Sequence, residues 1–155
     1  SMTWLLIGFI IFLALAPLSH FVPTKAQRRQ ARLREHAALA GLFVEFRKLP
    51  GSDERLRPSP PGTIFYGRRV LDRKRSLARV TLLRDAEGWR PLQGTQRGAV
   101  AEESLALLPA AVMAIETSSD ALGIYWTEAG EESDVDAIAD VLQRVLDGAK
   151  PIAIR

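Results

Sequence analysis

The strongest constraint on this chain is its opening. Met2 to Val22 is 21 residues without a charged side chain, built around Trp4-Leu5-Leu6-Ile7-Gly8-Phe9-Ile10-Ile11-Phe12-Leu13-Ala14-Leu15-Ala16. At ~1.5 Å per residue, a helix of that length reaches roughly 31 Å, close to the ~30 Å hydrocarbon thickness of a bilayer. The run is apolar on every face, and a helix packed on a soluble core keeps a polar stripe. The sequence therefore predicts a transmembrane anchor over 2–22, with Trp4 suited to an interface and Pro17 kinking the far end. Ala14-Leu15-Ala16 resembles a signal-peptidase site. However, no Lys or Arg precedes the apolar run, and Pro17 would directly follow the cut.

The flanks set an orientation. Lys25, Arg28, Arg29, Arg32 and Arg34 follow the run closely, and the short N-terminal side has no basic residue. The positive-inside rule then places the C-terminal part in the cytoplasm of a bacterial inner-membrane protein. The chain has no cysteine, which fits a reducing compartment and removes thiolate metal sites, disulfides and cysteine nucleophiles.

A net charge of +3 conceals an asymmetry. His20 to Arg90 holds 17 basic and 7 acidic residues, whereas Pro91 to Arg155 holds 4 and 11. The first half suits an anionic surface and the second half is repelled by one. Apolar residues are 47% and charged residues 25%, so the remainder folds around a core.

Pro23 and Thr24 open a basic juxtamembrane helix over 23–41. Thr24 and Gln27 stand at capping-box spacing, and Gly41 is a stop. Ala26, Leu33, Ala37 and Ala40 fall near one face. The five basic residues Lys25, Arg28, Arg29, Arg32 and Arg34 form an arginine comb for contact with anionic headgroups, each worth about 1 kcal/mol near such a surface.

Residues 42–155 read as a cytoplasmic α+β domain. Leu42–Arg47 is a strand with Leu42, Val44 and Phe46 on one face. Pro50–Gly62 is a proline-rich loop. Strands follow over Thr63–Leu71 and Leu77–Arg84, then an Asp85–Gly88 turn into Trp89–Leu92. Next come a short helix over Ala101–Leu108 and a hairpin pairing Ala111–Glu116 with Ala121–Thr127. In the last helix Ser133 is the cap and Val135, Ile138, Val141, Leu142, Val145 and Leu146 form a stripe, with Gly148 and Pro151 ending it. The expected fold is an N-terminal transmembrane helix, then a mainly antiparallel sheet with a packed C-terminal amphipathic helix.

No set of residues identifies a reaction, so the chain is expected not to be an enzyme. It lacks a phosphate-binding glycine loop, Gly-x-Gly-x-x-Gly and Gly-x-Ser-x-Gly. No cofactor or metal is expected. His20 and His36 lack neighbouring ligands. The acidic stretch Glu128–Asp136 lacks the spacing of a calcium loop and reads as a solvated lead into the last helix. Arg68, Arg69, Arg73, Lys74 and Arg75 could contact an anionic partner, with Phe65 or Tyr66 stacking on nucleic acid. Nucleic acid is not the expected partner, because no helix-turn-helix, RNP or zinc-finger pattern is present. Tyr125-Trp126 is either a partner-protein contact or packing under the following helix.

Two resemblances follow from these residues. The apolar run followed by Pro23-Thr24-Lys25-Ala26-Gln27-Arg28-Arg29 resembles the small single-pass accessory subunit of the bacterial Sec preprotein translocase, the YajC type. The chain is also similar to uncharacterised proteobacterial single-pass membrane proteins, some of which carry that label. That likeness rests on Arg28-Arg29-x-x-Arg32-Leu33, Gly41-Leu42, Leu108-Pro109-x-x-Val112 and Ile124-Tyr125-Trp126-x-Glu128-x-Gly130. It implies a shared fold. The reading that results is a non-enzymatic inner-membrane protein whose cytoplasmic domain contacts another protein, as an accessory to a secretion or envelope complex. The alternative is a membrane-tethered binder of anionic lipid or RNA through Arg68–Arg75. No small-molecule substrate is inferred.

Overall fold

The structure, a computed structural model, describes residues 2–19, 22–72, 77–92 and 100–149. The chain divides into two compact units, residues 1–31 and 32–155.

In the first unit, helix α1 spans Met2–Ser19. From Met2 to Leu15 every large apolar side chain is exposed, including Trp4, Phe9, Ile10 and Phe12. Its 18 residues reach ~27 Å, and residues 20 and 21 of the expected 2–22 span lie outside the described residues. Among the described residues, no helix is long and apolar enough to cross a membrane. Helix α2, Lys25–Leu39, begins in this unit and ends in the next. Its N-terminus is closed by the expected reciprocal pair. Gln27 N–H donates to Thr24 Oγ1 at 3.1 Å, and Thr24 N–H donates to Gln27 Oε1 at 2.9 Å.

The second unit is α+β. Its strands are β1 (Phe43–Glu45), β2 (Ile64–Arg69), β3 (Val80–Asp85), β4 (Gly88–Pro91), β5 (Ala114–Thr117) and β6 (Ala121–Trp126). They form one sheet in the order β1-β2-β6-β5-β3-β4, with every neighbouring pair antiparallel. Two further helices are α3 (Glu102–Ala106) and α4 (Glu132–Asp147).

Register sorts the two faces, since side chains alternate along each strand. Val44, Tyr66, Ile124, Ile115 and Leu82 lie in one row across five strands. With Ile64, Trp126, Leu122 and Val80 they make the inner face. Leu33 and Ala37 of α2, Leu105 of α3 and Val135, Ile138, Val141, Leu142 and Val145 of α4 close the core over it. The expected stripe of α4 is thus the buried one, with Leu146 only partly buried. The adjacent row, Glu45, Phe65, Tyr125, Ala114 and Leu83, belongs to the outer face. There Phe65, Ala114 and Tyr125 form a second, smaller core with Phe43 and Leu49.

Three local expectations are corrected. The first strand covers three residues, so Leu42 is buried outside it, Val44 is half-buried and Phe46 is 73% exposed. The cap of α4 is Glu131, not Ser133. Asp134 sits three residues after Glu131 and its Oδ2 accepts the Glu131 N–H at 2.8 Å, which closes a box two residues earlier than the hydroxyl of Ser133 would. The acidic stretch is not uniformly solvated either, because Glu128 is 1% exposed. Pro151 lies outside the described residues.

Candidate functional site

The inner face contains one buried ionic network. Arg34, on the domain half of α2, reaches Glu128, just after β6. Its Nε donates to Oε2 at 3.0 Å and its Nη2 to Oε1 at 2.7 Å. The Tyr66 hydroxyl of β2 donates to the same Oε2 at 2.6 Å. A bidentate guanidinium and a phenol satisfy a carboxylate that would otherwise be costly to bury. The hydrogen bond to Glu128 holds the Arg34 guanidinium above its ordinary range. Burial, then the hydrogen bond to Glu128, pushes the Tyr66 phenol well above its usual value. Glu128 has φ +60°, a left-handed conformation that side chains other than glycine adopt at a cost of order 1–2 kcal/mol. The ion pair holds it there. Two residues further along α2, His36 Nε2 lies 2.6 Å from Asp136 Oδ1 of α4. Together these contacts fix the end of α2 to the start of α4. The network ties helix to sheet.

This changes the arginine comb. Lys25, Arg28, Arg29 and Arg32 are exposed. Arg34 is directed into the domain instead, with its guanidinium also 5.2 Å from the Phe46 ring centre. A headgroup would have to compete with a carboxylate already held in the right geometry.

Arg68 and Arg69 separate for a simple reason. Neighbouring residues on a strand face opposite sides. Arg68 shares the inner parity of Tyr66, whereas Arg69 shares the outer parity of Phe65 and lies 4.7 Å from the Phe43 ring centre. They do not form one patch. Arg73, Lys74 and Arg75 lie outside the described residues. The aromatic pair splits between the two faces in the same way. Trp126 is 0% exposed on the inner face, edge-on to Tyr66 at 5.2 Å, and Tyr125 is 3% exposed on the outer face. Neither offers a surface to a partner protein. Trp126 Nε1 is a buried donor with no hydrogen-bond acceptor among the described residues.

The outer face holds a recess of about 260 Å³ beside the cross-strand pair Gly67–Gly123. Glycine is required at both positions, because a Cβ on either would fall within the Phe65 ring. Phe65 lies 5.7 Å from Phe43 and 5.0 Å from Tyr125 between ring centres. Arg47 stacks on Phe65 at 4.2 Å and pairs with Glu45 at 2.5 Å, and Glu116 Oε1 is 4.0 Å from it. The Tyr125 hydroxyl donates to Glu116 Oε2 at 3.2 Å. Burial, then the nearby Glu116 charge, pushes that phenol up to about 12. The charged groups here pair with one another around an aromatic stack.

Among the described residues, no group of three or more His, Cys, Asp or Glu side chains is placed to hold a metal ion. The chain matches no protein-family model, no curated protein and no solved structure.

Proposed function

We propose that this is a membrane-anchored, non-enzymatic protein. On this reading residues 2–22 form a single-pass anchor in a bacterial inner membrane, and the α+β unit acts as a cytoplasmic interaction domain. The observation that carries it is the exposure of every large apolar side chain from Met2 to Leu15 on a helix with no polar stripe. Water does not tolerate such a surface, and a bilayer does. Lys25, Arg28, Arg29 and Arg32, exposed directly after it, favour the cytoplasmic side and anionic headgroups.

The partner on this reading is another protein, in keeping with the resemblance to the YajC type of translocase accessory subunit. The test is purification of the full chain from native membranes in mild detergent, with mass spectrometry of the eluate. Near-stoichiometric secretion or envelope subunits support the accessory role, and an eluate of this chain alone overturns it. Alkaline carbonate extraction and a reporter fused after Arg155 test the anchor and its orientation. Release by carbonate, or reporter activity confined to the periplasm, overturns them.

A further inference from the structure

We infer that the loop between β1 and β2 is a second bilayer contact, through a patch of Phe46, Lys48, Arg55, Leu56 and Arg57 that docks on anionic lipid. The inference rests on the anchored reading above and goes further, because it assigns a lipid-binding surface to the folded domain itself.

Three observations carry it. First, the tip is built rather than loose. Asp53 Oδ1 accepts the backbone N–H groups of Arg55 at 2.8 Å, Leu56 at 2.5 Å and Arg57 at 3.4 Å, and the Asp53 N–H donates to Arg57 O at 2.8 Å. These bonds, that of Leu56 first, hold the Asp53 carboxyl below its usual range, so the turn persists at neutral pH. Second, the turn displays an apolar side chain between two cations. Leu56 is 86% exposed. Among the described residues, no carboxylate lies within ion-pair distance of Arg55 or Arg57; the one ion pair of this loop, Lys48 with Glu54 at 3.4 Å, is exposed. Third, Leu56 is not alone. Lys48 and Ser59 wall both the hollow beneath the turn and the hollow beside Phe46, which is 73% exposed. Two apolar side chains therefore flank a stretch of surface where Lys48, Arg55 and Arg57 outnumber the carboxylates of Asp53 and Glu54 by one charge.

That pattern matches the headgroup boundary of an anionic bilayer. The apolar side chains enter the acyl edge, while each cation near the phosphates contributes about 1 kcal/mol. Such a patch is too weak to recruit a free protein, but a tether changes the arithmetic. Only twelve residues separate Ser19 from Arg32, at most about 40 Å of extended chain. The domain is then held at high effective concentration beside the membrane, where a weak contact suffices.

The test uses the absence of cysteine. The full-length L56C variant, labelled with an environment-sensitive fluorophore, is reconstituted into neutral vesicles and into vesicles with anionic lipid. The expected result is a blue shift in the anionic vesicles only. About 0.5 M salt, which shortens screening to a few ångströms, should remove it, as should R55Q/R57Q in the same chain. A label at the exposed Glu103 of α3 should not shift. If the protein is retained in the vesicles while the label at position 56 stays aqueous, the inference is overturned and the anchor stands. Equal shifts in neutral and anionic vesicles overturn the charge argument and with it the proposal. A shift that grows with protein concentration in detergent assigns the patch to a second copy of the chain, which also overturns it. If the protein does not stay with vesicles at all, the anchored reading fails and the inference fails with it.

Discussion

Arg34 and Glu128 stand 94 positions apart and are joined by two hydrogen bonds, of 3.0 and 2.7 Å, that fasten the end of α2 to the chain leaving β6. Removing one partner should be worse than removing both. Arg34→Met leaves a carboxylate that is 2% exposed without its guanidinium partner, though still hydrogen-bonded by the Tyr66 hydroxyl, and should cost about 2–4 kcal/mol. The lower part of that range reflects the partial exposure of the guanidinium. Glu128→Gln keeps a polar group there and should cost about 1–2 kcal/mol. In urea unfolding, Arg34→Met/Glu128→Leu should lose less than the sum of its two single changes. Additive losses would show that the pair is not coupled.

The two tyrosines give an optical report on alkaline stability. They are the only tyrosines in the chain, both are buried, and both phenols are raised, that of Tyr125 to about 12. A group whose folded pKa is raised contributes stability that is complete below its unfolded value and is lost as pH climbs through the folded one. For Tyr125 the contribution should therefore be intact below about pH 10 and vanish between about 10 and 12, whereas that of Tyr66, whose phenol is raised further, should be lost only at higher pH still. At pH 10.5 the folded protein should show little tyrosinate absorbance, and the protein in urea should show it strongly. Equal absorbance in the two samples would contradict the burial of both rings.

The glycine pair tests the outer aromatic stack. Gly123→Ala places a methyl group against the Phe65 ring and the Tyr66 carbonyl oxygen, and should cost about 1–3 kcal/mol by overpacking. Gly8→Ala, where a Cβ meets nothing within 4 Å, should leave the stability of the domain unchanged. Thermal denaturation separates the two.

The proposed anchor can be tested by arithmetic. Nine Leu, Ile and Phe residues from Leu5 to Leu15 supply roughly 0.3–0.6 kcal/mol each toward insertion, and one aspartate near the centre opposes it by about 3. Ile7→Asp/Ile11→Asp should therefore move the protein from the membrane fraction to the supernatant, whereas Ile10→Val should not. Retention of the double variant in membranes would show that something other than α1 holds it there.

Much of the framework was legible because it depends on local rules. The apolar stripe of α4, the Thr24–Gln27 box and the hairpins about Ala86-Glu87 and Ser118–Asp120 each depend on residues a few positions apart. The functional reading of side chains was less legible. Arg34 looked like one tooth of a basic comb, and Tyr125-Trp126 read equally as a partner contact or as packing under the last helix. Nothing near Arg34 announces a carboxylate 94 positions away. The alternation of β6 could have placed Tyr125 and Trp126 on opposite faces, but not told which face is covered by helices and which by a loop.

The sequence by itself determined the apolar helix, the switch from basic to acidic charge, the α+β class and the stripe that α4 buries, because these are set by composition and by periods of two and 3.6 residues. Only the tertiary structure decided the strand order, the burial of Glu128 beneath Arg34 and Tyr66, and the laying of Phe65 over Gly67 and Gly123. Those outcomes turn on which distant segments meet, and on whether a charge or an aromatic ring finds its partner once water is excluded.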